Sequence, residues 1–352
     1  MPGTGRTTPP RPVDVTAVLP RLAPLARTAT RLHPRPGSPS PHHSSVGGPP
    51  LWPAGEPWPY CAGPHVPDGN PATSPQDVRL GRRVRAAAGS RPPGHPRFTP
   101  EETAVLRRIG AGRPWPEGPV AMLPVAQLYA RDVPALRPPG RADLLQVLWC
   151  PFDHPPEPKP RTALFWRSAA AVTDVLTTPP EPAVVQSGGY VPRPCLLYPE
   201  QATEYPDLME LDAESRARLG NWSTWQAAGA APDGYYEPAP QEFYRNELSV
   251  SPGWKAGGWT RWGLTDPVPR VCPACGAEMT PLLTVASAEW DDATRGWSPY
   301  EEPASTTPAP TTPSTTRPHA ATPAMVQLAG GYDLQLYACP TAPDHPHVDL
   351  IQ

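Results

Sequence analysis

The sequence predicts an α+β fold, mainly antiparallel β with few short helices, made of duplicated tandem units packed as one pseudo-twofold body. Three observations lead there. Apolar runs of strand length, rich in Val, Leu and aromatics and bounded by Pro and Gly, come at short intervals, with few stretches of helical periodicity between them. The run LLQVLWCPFDHP at 144–155 returns near the end as DLQLYACPTAPDHP at 333–346, and each reads as a buried strand entering a Cys-Pro loop. Three further blocks recur in the same order: SVGGPP at 45–50 against KAGGWT at 255–260, WPYC at 58–61 against PRVC at 269–272, and MLPVAQL at 122–128 against MTPLLTV at 279–285. Blocks repeated in one order mark a duplicated unit, which constrains the architecture before any local reading. One sheet system per unit is the expected arrangement.

Composition narrows the part of the chain that can pack. Pro (60) and Gly (28) make up a quarter of the 352 residues, which points to a core of roughly 220 to 250 residues with irregular insertions hanging from it. The formal net charge is −3, so no overall field draws the chain to nucleic acid or to an anionic membrane surface. Lys159 and Lys255 are the only lysines among 30 basic residues, a bias that reflects GC-rich coding more than function. No apolar run approaches the roughly 20 residues of a membrane span, and the N-terminus has no run of signal-peptide type. A cytoplasmic, soluble protein is the expectation. In that compartment its six cysteines serve as free thiols or metal ligands ahead of disulfides.

In chain order, residues 1–12 read as a disordered tail and 13–195 as the first unit. Val13, Val15, Val18, Leu19, Leu22, Leu25 and Ala26 form a helical stripe broken at Pro20. Residues 29–45 are turn-rich and read as a loop leading to Gly47-Gly48, after which Trp52 and Trp58 read as core plugs. The apolar-poor stretch 66–98, with arginines scattered from Arg79 to Arg97, reads as a solvated, flexible insertion, the alternative being an anionic docking patch. Thr99, Pro100 and Glu102 then make a capping box for a short helix that Gly110 should stop. Strands follow at 122–133, 144–150 and 162–166, with a helix expected over 167–176. A loop-rich connector covers 196–246, with one short helix at 212–219 ended by Gly220. The second unit spans 247–352 and is interrupted by a Thr/Pro/Ala/Ser tract at 298–323, which buries too little apolar surface to order itself.

Overlaying the repeats gathers the Cys and His residues. The first unit offers Cys61-x3-His65 and Cys150-x3-His154; the second offers Cys272-x2-Cys275 in CPACG, then Cys339 and His345. Tetrahedral zinc takes four N or S donors, delivered as close pairs from two turns. The spacing therefore predicts structural Zn2+, one or two ions per chain. Three other readings stay open: Cys61 and Cys150 as small buried hydrophobes, a Cys61–Cys150 disulfide, or His154 and His345 as turn caps after Cys-Pro. Cys195 falls outside the pattern and reads as buried and inert.

No catalytic residue is assigned, since GxSxG, HExxH, Walker and GxGxxG signatures are absent from the sequence. A candidate binding surface remains at the glycine pairs: Arg31, His33, Arg35, Ser45, Gly47 and Gly48 from the first unit, with Lys255, Gly257 and Gly258 from the second. Glycine admits close backbone approach, and Arg with Lys favours a carboxylate or phosphate. The plainer reading gives each Gly-Gly to a bulge or tight turn.

The blocks GGPPLWPAGEPWP, PVAQL, LLQVLWCP, AGGW, CPACGAEMTPLLTV and LQLYACP together resemble the YwqG-like family (domain of unknown function 1963). There, a GG-x-P element precedes a Pro-rich turn, a strand ending in L-x-Q and a later strand running into a CP loop. The resemblance covers most of 13–352 outside the insertions. It implies a bacterial protein with a duplicated, mainly antiparallel α+β fold and no assigned activity. Thr284 stands where that family carries Gln, which leaves any role of that Gln open here. The leading function expected is a non-catalytic, zinc-stabilised binding or interaction module. The alternatives are an enzyme acting on a small anionic metabolite between the units and an immunity-type partner that neutralises a toxin. Either a protein partner or a small anionic ligand is expected, with no nucleic acid and no membrane.

Overall fold

The computed structural model describes residues 5–92, 95–230, 234–302 and 319–352. Its described strands are β1 (Arg27–Arg31), β2 (Arg35–Pro36), β3 (Ser45–Val46), β4 (Tyr60–Cys61), β5 (Val120–Ala121), β6 (Leu123–Tyr129), β7 (Leu144–His154), β8 (Lys159–Arg167), β9 (Cys195–Leu196), β10 (Glu200–Glu204), β11 (Lys255–Gly257), β12 (Thr280–Val285), β13 (Leu334–Ala338) and β14 (Val348–Ile351). They form two six-stranded sheets, ordered β10-β1-β11-β12-β13-β14 and β2-β9-β3-β6-β7-β8, and a small β4-β5 ribbon. All named strand pairs are antiparallel. The α+β class predicted from the sequence is the class observed.

The recurring blocks occupy matching places. Ser45 pairs with Gln127, Gln127 with Gln146 and Gln146 with Phe165; in the other sheet Lys255 pairs with Thr284, Thr284 with Gln335 and Gln335 with Leu350. Both ladders slip at the same point, between Pro124 and Ala126 and between Pro281 and Leu283. A proline has no N–H to give the ladder, and a bulge is where a sheet accommodates it. Exchanging β1 with β9, β2 with β10 and β3 with β11, and the later strands likewise, converts one sheet order into the other.

The sheets do not divide cleanly between the halves of the chain. β1, from the first half, pairs with β10 and with β11 of the second half, whereas β9, at the end of the first half, pairs with β2 and β3 of that half. The placement of β1 in the sheet of the second half corrects the expectation of one sheet per unit, and β1, β2 and β3 correct the reading of 29–45 as pure loop. A single apolar core joins the sheets: Val125, Val147 and Trp149 from one pack in the same cluster as Leu283, Leu336 and Trp254 from the other half.

Several local expectations need correction, each for a tertiary reason. The described part of the 1–12 tail is docked: Thr7 N–H donates to Glu301 at 2.9 Å, Thr8 N–H to Glu200 at 3.0 Å, and the Arg11 guanidinium stacks 3.8 Å over Trp297. The expected loop at 66–98 carries a helix, Pro75–Gly89, capped by the Ser74 side chain. One arginine of that helix, Arg82, is buried and donates to the carbonyls of Val191 and Gly188 at 2.8 Å. Arginine richness read as solvation therefore missed a guanidinium that satisfies loop carbonyls. Residues 167–176 hold only one 3-10 turn, Ala169–Ala171, and the connector carries a second helix, Trp222–Ala227, whose Trp225 is buried against Phe243. In the 298–323 tract, 303–318 lie outside the described residues, while Ala321 and Thr322 are buried.

The capping box forms as expected, with Thr99 and Glu102 exchanging side-chain-to-backbone bonds at the start of the helix Pro100–Ala111. Gly112, at φ 67°, ends the helix in place of the expected Gly110. No residue of this helix is buried, so its stability leans on the cap. Thr99→Ala should cost it about 1 kcal/mol, read as faster amide exchange over 100–111. Unchanged exchange there would show the cap to be idle.

Candidate metal centres

The first candidate centre lies where the β4-β5 ribbon meets the end of β7. Cys61 sits opposite Val120 in the ribbon, and Cys150 falls in the irregular stretch of β7 between Trp149 and Asp153, where the ladder shifts register. His65 follows a turn at Gly63, whose φ of 91° suits glycine. His154 ends β7. All four donor atoms lie within 4.8 Å of one another, with Cys61 Sγ 3.7 Å from His154 Nε2 and Cys150 Sγ 3.3 Å from His65 Nε2. Two thiols and two imidazoles thus converge, largely buried.

Burial dominates the protonation of Cys150, His65 and His154. It pushes the Cys150 thiol well up, with Cys61 adding to the effect, and it pulls His154 down to about 4, helped by Arg161 and by His65. His65 is lowered for the same reasons, burial first and Arg161 second. The imidazoles are therefore neutral and able to ligate at ordinary pH, and a divalent cation would favour the Cys150 thiolate that burial opposes.

The second centre is built from a knuckle and a strand end. In the turn Cys272-Pro-Ala-Cys275, Cys272 N–H donates to Ala277 O at 2.8 Å and Gly276 N–H to Cys272 O at 2.9 Å, with Gly276 at φ 73°. Cys339 immediately follows β13, and His345 N–H closes a turn onto Ala342 O at 2.9 Å. The four donors again lie within 4.8 Å: Cys275 Sγ is 3.5 Å from Cys339 Sγ, and Cys272 Sγ is 3.5 Å from His345 Nδ1. Cys275 is exposed and Cys272 and Cys339 are buried.

Here backbone N–H groups favour thiolate. Burial raises the Cys339 thiol, but the N–H groups of Ala342 and Thr341, with Cys275 and His345, more than cancel it and hold the group at about 6. Cys272 is lowered in the same manner, burial being outweighed by the N–H groups of Ala274 and Cys275. Cys275 is raised, because the pull of Ala277 N–H is exceeded by its proximity to Cys339 and Cys272. His345 is raised by Cys272 and Cys339.

All six cysteines are free thiols, which removes the Cys61–Cys150 disulfide reading. Cys195, outside both sets, is buried and faces Pro323 O at 3.5 Å.

The candidate anion surface is not assembled as the sequence implied. Arg31, His33, Ser45 and Lys255 are buried, and the charges are directed at the protein's own groups. Arg31 donates to Trp297 O at 3.0 Å, His33 Nε2 lies 3.2 Å from Glu200, Arg35 pairs with Glu302, and Lys255 pairs with Glu204 at 2.7 Å. Burial pulls His33 down to about 4, against the opposing pull of Glu200. Gly47, at φ 60°, passes so close to Pro192 that an added Cβ would lie 2.9 Å from its Cβ; an added Cβ on Gly48 would lie 2.6 Å from Pro39. Tight backbone packing is reason enough for that pair. Gly257 and Gly258 line a cleft, beside Arg27 and Arg137, which the spacing of motifs did not single out.

Gln127 has a structural explanation as well. It accepts from Leu51 N–H at 2.7 Å and donates to Pro41 O and His43 O, pinning the loop ahead of the first glycine pair, while Thr284 at the matching position is too short for this and donates to Gln335 at 3.1 Å.

The fold and sites define an α+β protein of two six-stranded antiparallel sheets with two four-donor Cys/His clusters that could hold metal ions. The chain matches no protein-family model and no curated protein. No helix among the described residues is long and apolar enough to cross a membrane.

Proposed function

We propose that this protein is a non-catalytic binding or interaction module held in shape by two structural zinc ions, one at each Cys/His cluster. The observation that carries the reading is the convergence of all eight donors into two sets, each within 4.8 Å. Thiolate and imidazole sets in near-tetrahedral number suit zinc, and four protein donors leave no coordination position for water, which is the structural type. Each ion would tie a turn to the far end of a central strand, β7 in one sheet and the exit of β13 in the other. The reading as a duplicated, cytoplasmic YwqG-like protein belongs to the same proposal and is supported by the matching strand order and bulges.

Elemental analysis of the purified protein is expected to find about two zinc ions per chain. Exchange into Co2+ should give the absorption of tetrahedral thiolate-bound cobalt. Cys150→Ser should lower the zinc count by one and leave the cobalt spectrum of a three-sulfur centre. A protein that carries no zinc and takes up neither ion would end the proposal.

A further inference from the structure

We propose that a cleft formed jointly by the two halves of the chain binds a small organic anion with a flat apolar body, such as an aryl carboxylate or aryl phosphate. The cleft has a volume of about 610 Å³, within the range of roughly 300 to 1,000 Å³ that small-molecule sites occupy. One wall comes from Ala135, Arg137 and Trp166 of the first half, the other from Gly257, Gly258 and Pro281 of the second.

The charge of the lining decides the ligand. Two arginines, Arg27 and Arg137, face a lining that contains no Asp or Glu, and its other ionisable side chain, Cys339, is directed at the donors of the second Cys/His cluster. Both are exposed, and neither makes an ion pair among the described residues. This contrasts with Arg31, Arg35 and Lys255, which are turned onto internal partners. The Arg27 guanidinium stacks 3.4 Å over Trp259, which limits its freedom and reduces the entropy lost on binding. Glu210 is the acid whose field Arg27 reaches, but its carboxylate accepts from Asp207 N–H at 3.2 Å and it does not line the cleft. A carboxylate or phosphate is the group two unpaired guanidiniums recognise.

The rest of the lining calls for an apolar body. Trp166 is half-buried, and its indole N–H is tied to Pro343 O at 3.1 Å, which holds its ring at the cleft. Prolines and Leu282 complete that side. Gly257 approaches Ala135 so closely that an added Cβ would lie 3.1 Å from its Cβ, so the halves meet at the floor of the cleft and a ligand would touch both.

Isothermal titration with 1-naphthyl phosphate tests the assignment. One saturable site per chain is expected, with 1-naphthol, which lacks the charge, at least about tenfold weaker. Arg137→Ala should weaken 1-naphthyl phosphate about tenfold, as should Arg27→Lys, whereas Arg216→Ala, an exposed arginine outside the cleft, should leave affinity unchanged. Arg137 has no internal partner, so its variant is expected to fold, and circular dichroism checks this. Equal affinity in wild type and folded Arg137→Ala would overturn the proposal, as would an absence of binding at about 5 mM, where even a weak two-contact ligand is largely bound.

Discussion

Cys272→Ser is expected to lose one zinc ion and to destabilise the protein by several times the cost of Cys195→Ser. Both cysteines are buried free thiols, so the comparison removes the ordinary penalty of putting a hydroxyl where a thiol was, about 1 to 3 kcal/mol. What remains belongs to the metal. Cys272 lies within 4.8 Å of three other donors, and its loss strands Cys275, Cys339 and His345. Structural zinc contributes on the order of 10 kcal/mol in zinc-finger peptides, where ligation is most of the fold. The contribution here is smaller because the Cys272 cluster, with Met279, Tyr337 and Leu350, is one apolar cluster beside a larger shared core. Denaturant midpoints with and without chelator separate the terms. Chelation should destabilise wild type and Cys195→Ser by equal amounts and Cys272→Ser by less, since one site is already lost. Chelator-insensitive wild type, with the two variants alike, would refute a structural metal at this centre.

Glu204→Gln should cost about 3 to 5 kcal/mol, because it leaves a buried ammonium without its counter-charge. Lys255 and Glu204 are 1% and 0% exposed and meet at 2.7 Å through both carboxylate oxygens. Burial pulls the lysine below its ordinary range, with Glu204 opposing. Glu204 also accepts from Ser251 N–H at 3.0 Å and Trp259 N–H at 2.8 Å, so an amide in its place would turn N–H groups toward other donors. Lys255→Met should be milder, since the carboxylate keeps those two backbone donors. The double variant Glu204→Gln, Lys255→Met should recover part of the single-variant loss, because no unpaired charge remains. Urea midpoints of the four proteins decide it. A double variant no more stable than Glu204→Gln would show that the pair does not act through charge.

The local grammar of the chain was readable because it depends on neighbours in sequence. The Thr99 capping box and the Cys272-x2-Cys275 turn use groups three residues apart, and the Leu144 and Leu334 runs announce burial by their composition. Gln146 and Gln335, at matching positions of the two similar blocks, pair with Gln127 and Thr284, which also match. Failures came where a side chain's role depended on a distant partner. Arg82 was read as solvated, yet its carbonyl acceptors at Gly188, Val191 and Met325 lie more than a hundred residues away.

The sequence alone determined the α+β class, the recurrence of strands and turns, and which eight Cys and His residues would share two centres, because spacing and repetition encode which side chains leave the same turn or strand end. Only the tertiary structure decided that β1 pairs across the halves with β11, that Lys255 points inward to Glu204, and that Arg27 and Arg137 meet at one cleft. Periodicity reports whether a strand is buried but carries no information on which strand lies beside it. A charge 51 residues from its partner in sequence is paired or exposed only once that neighbour is fixed.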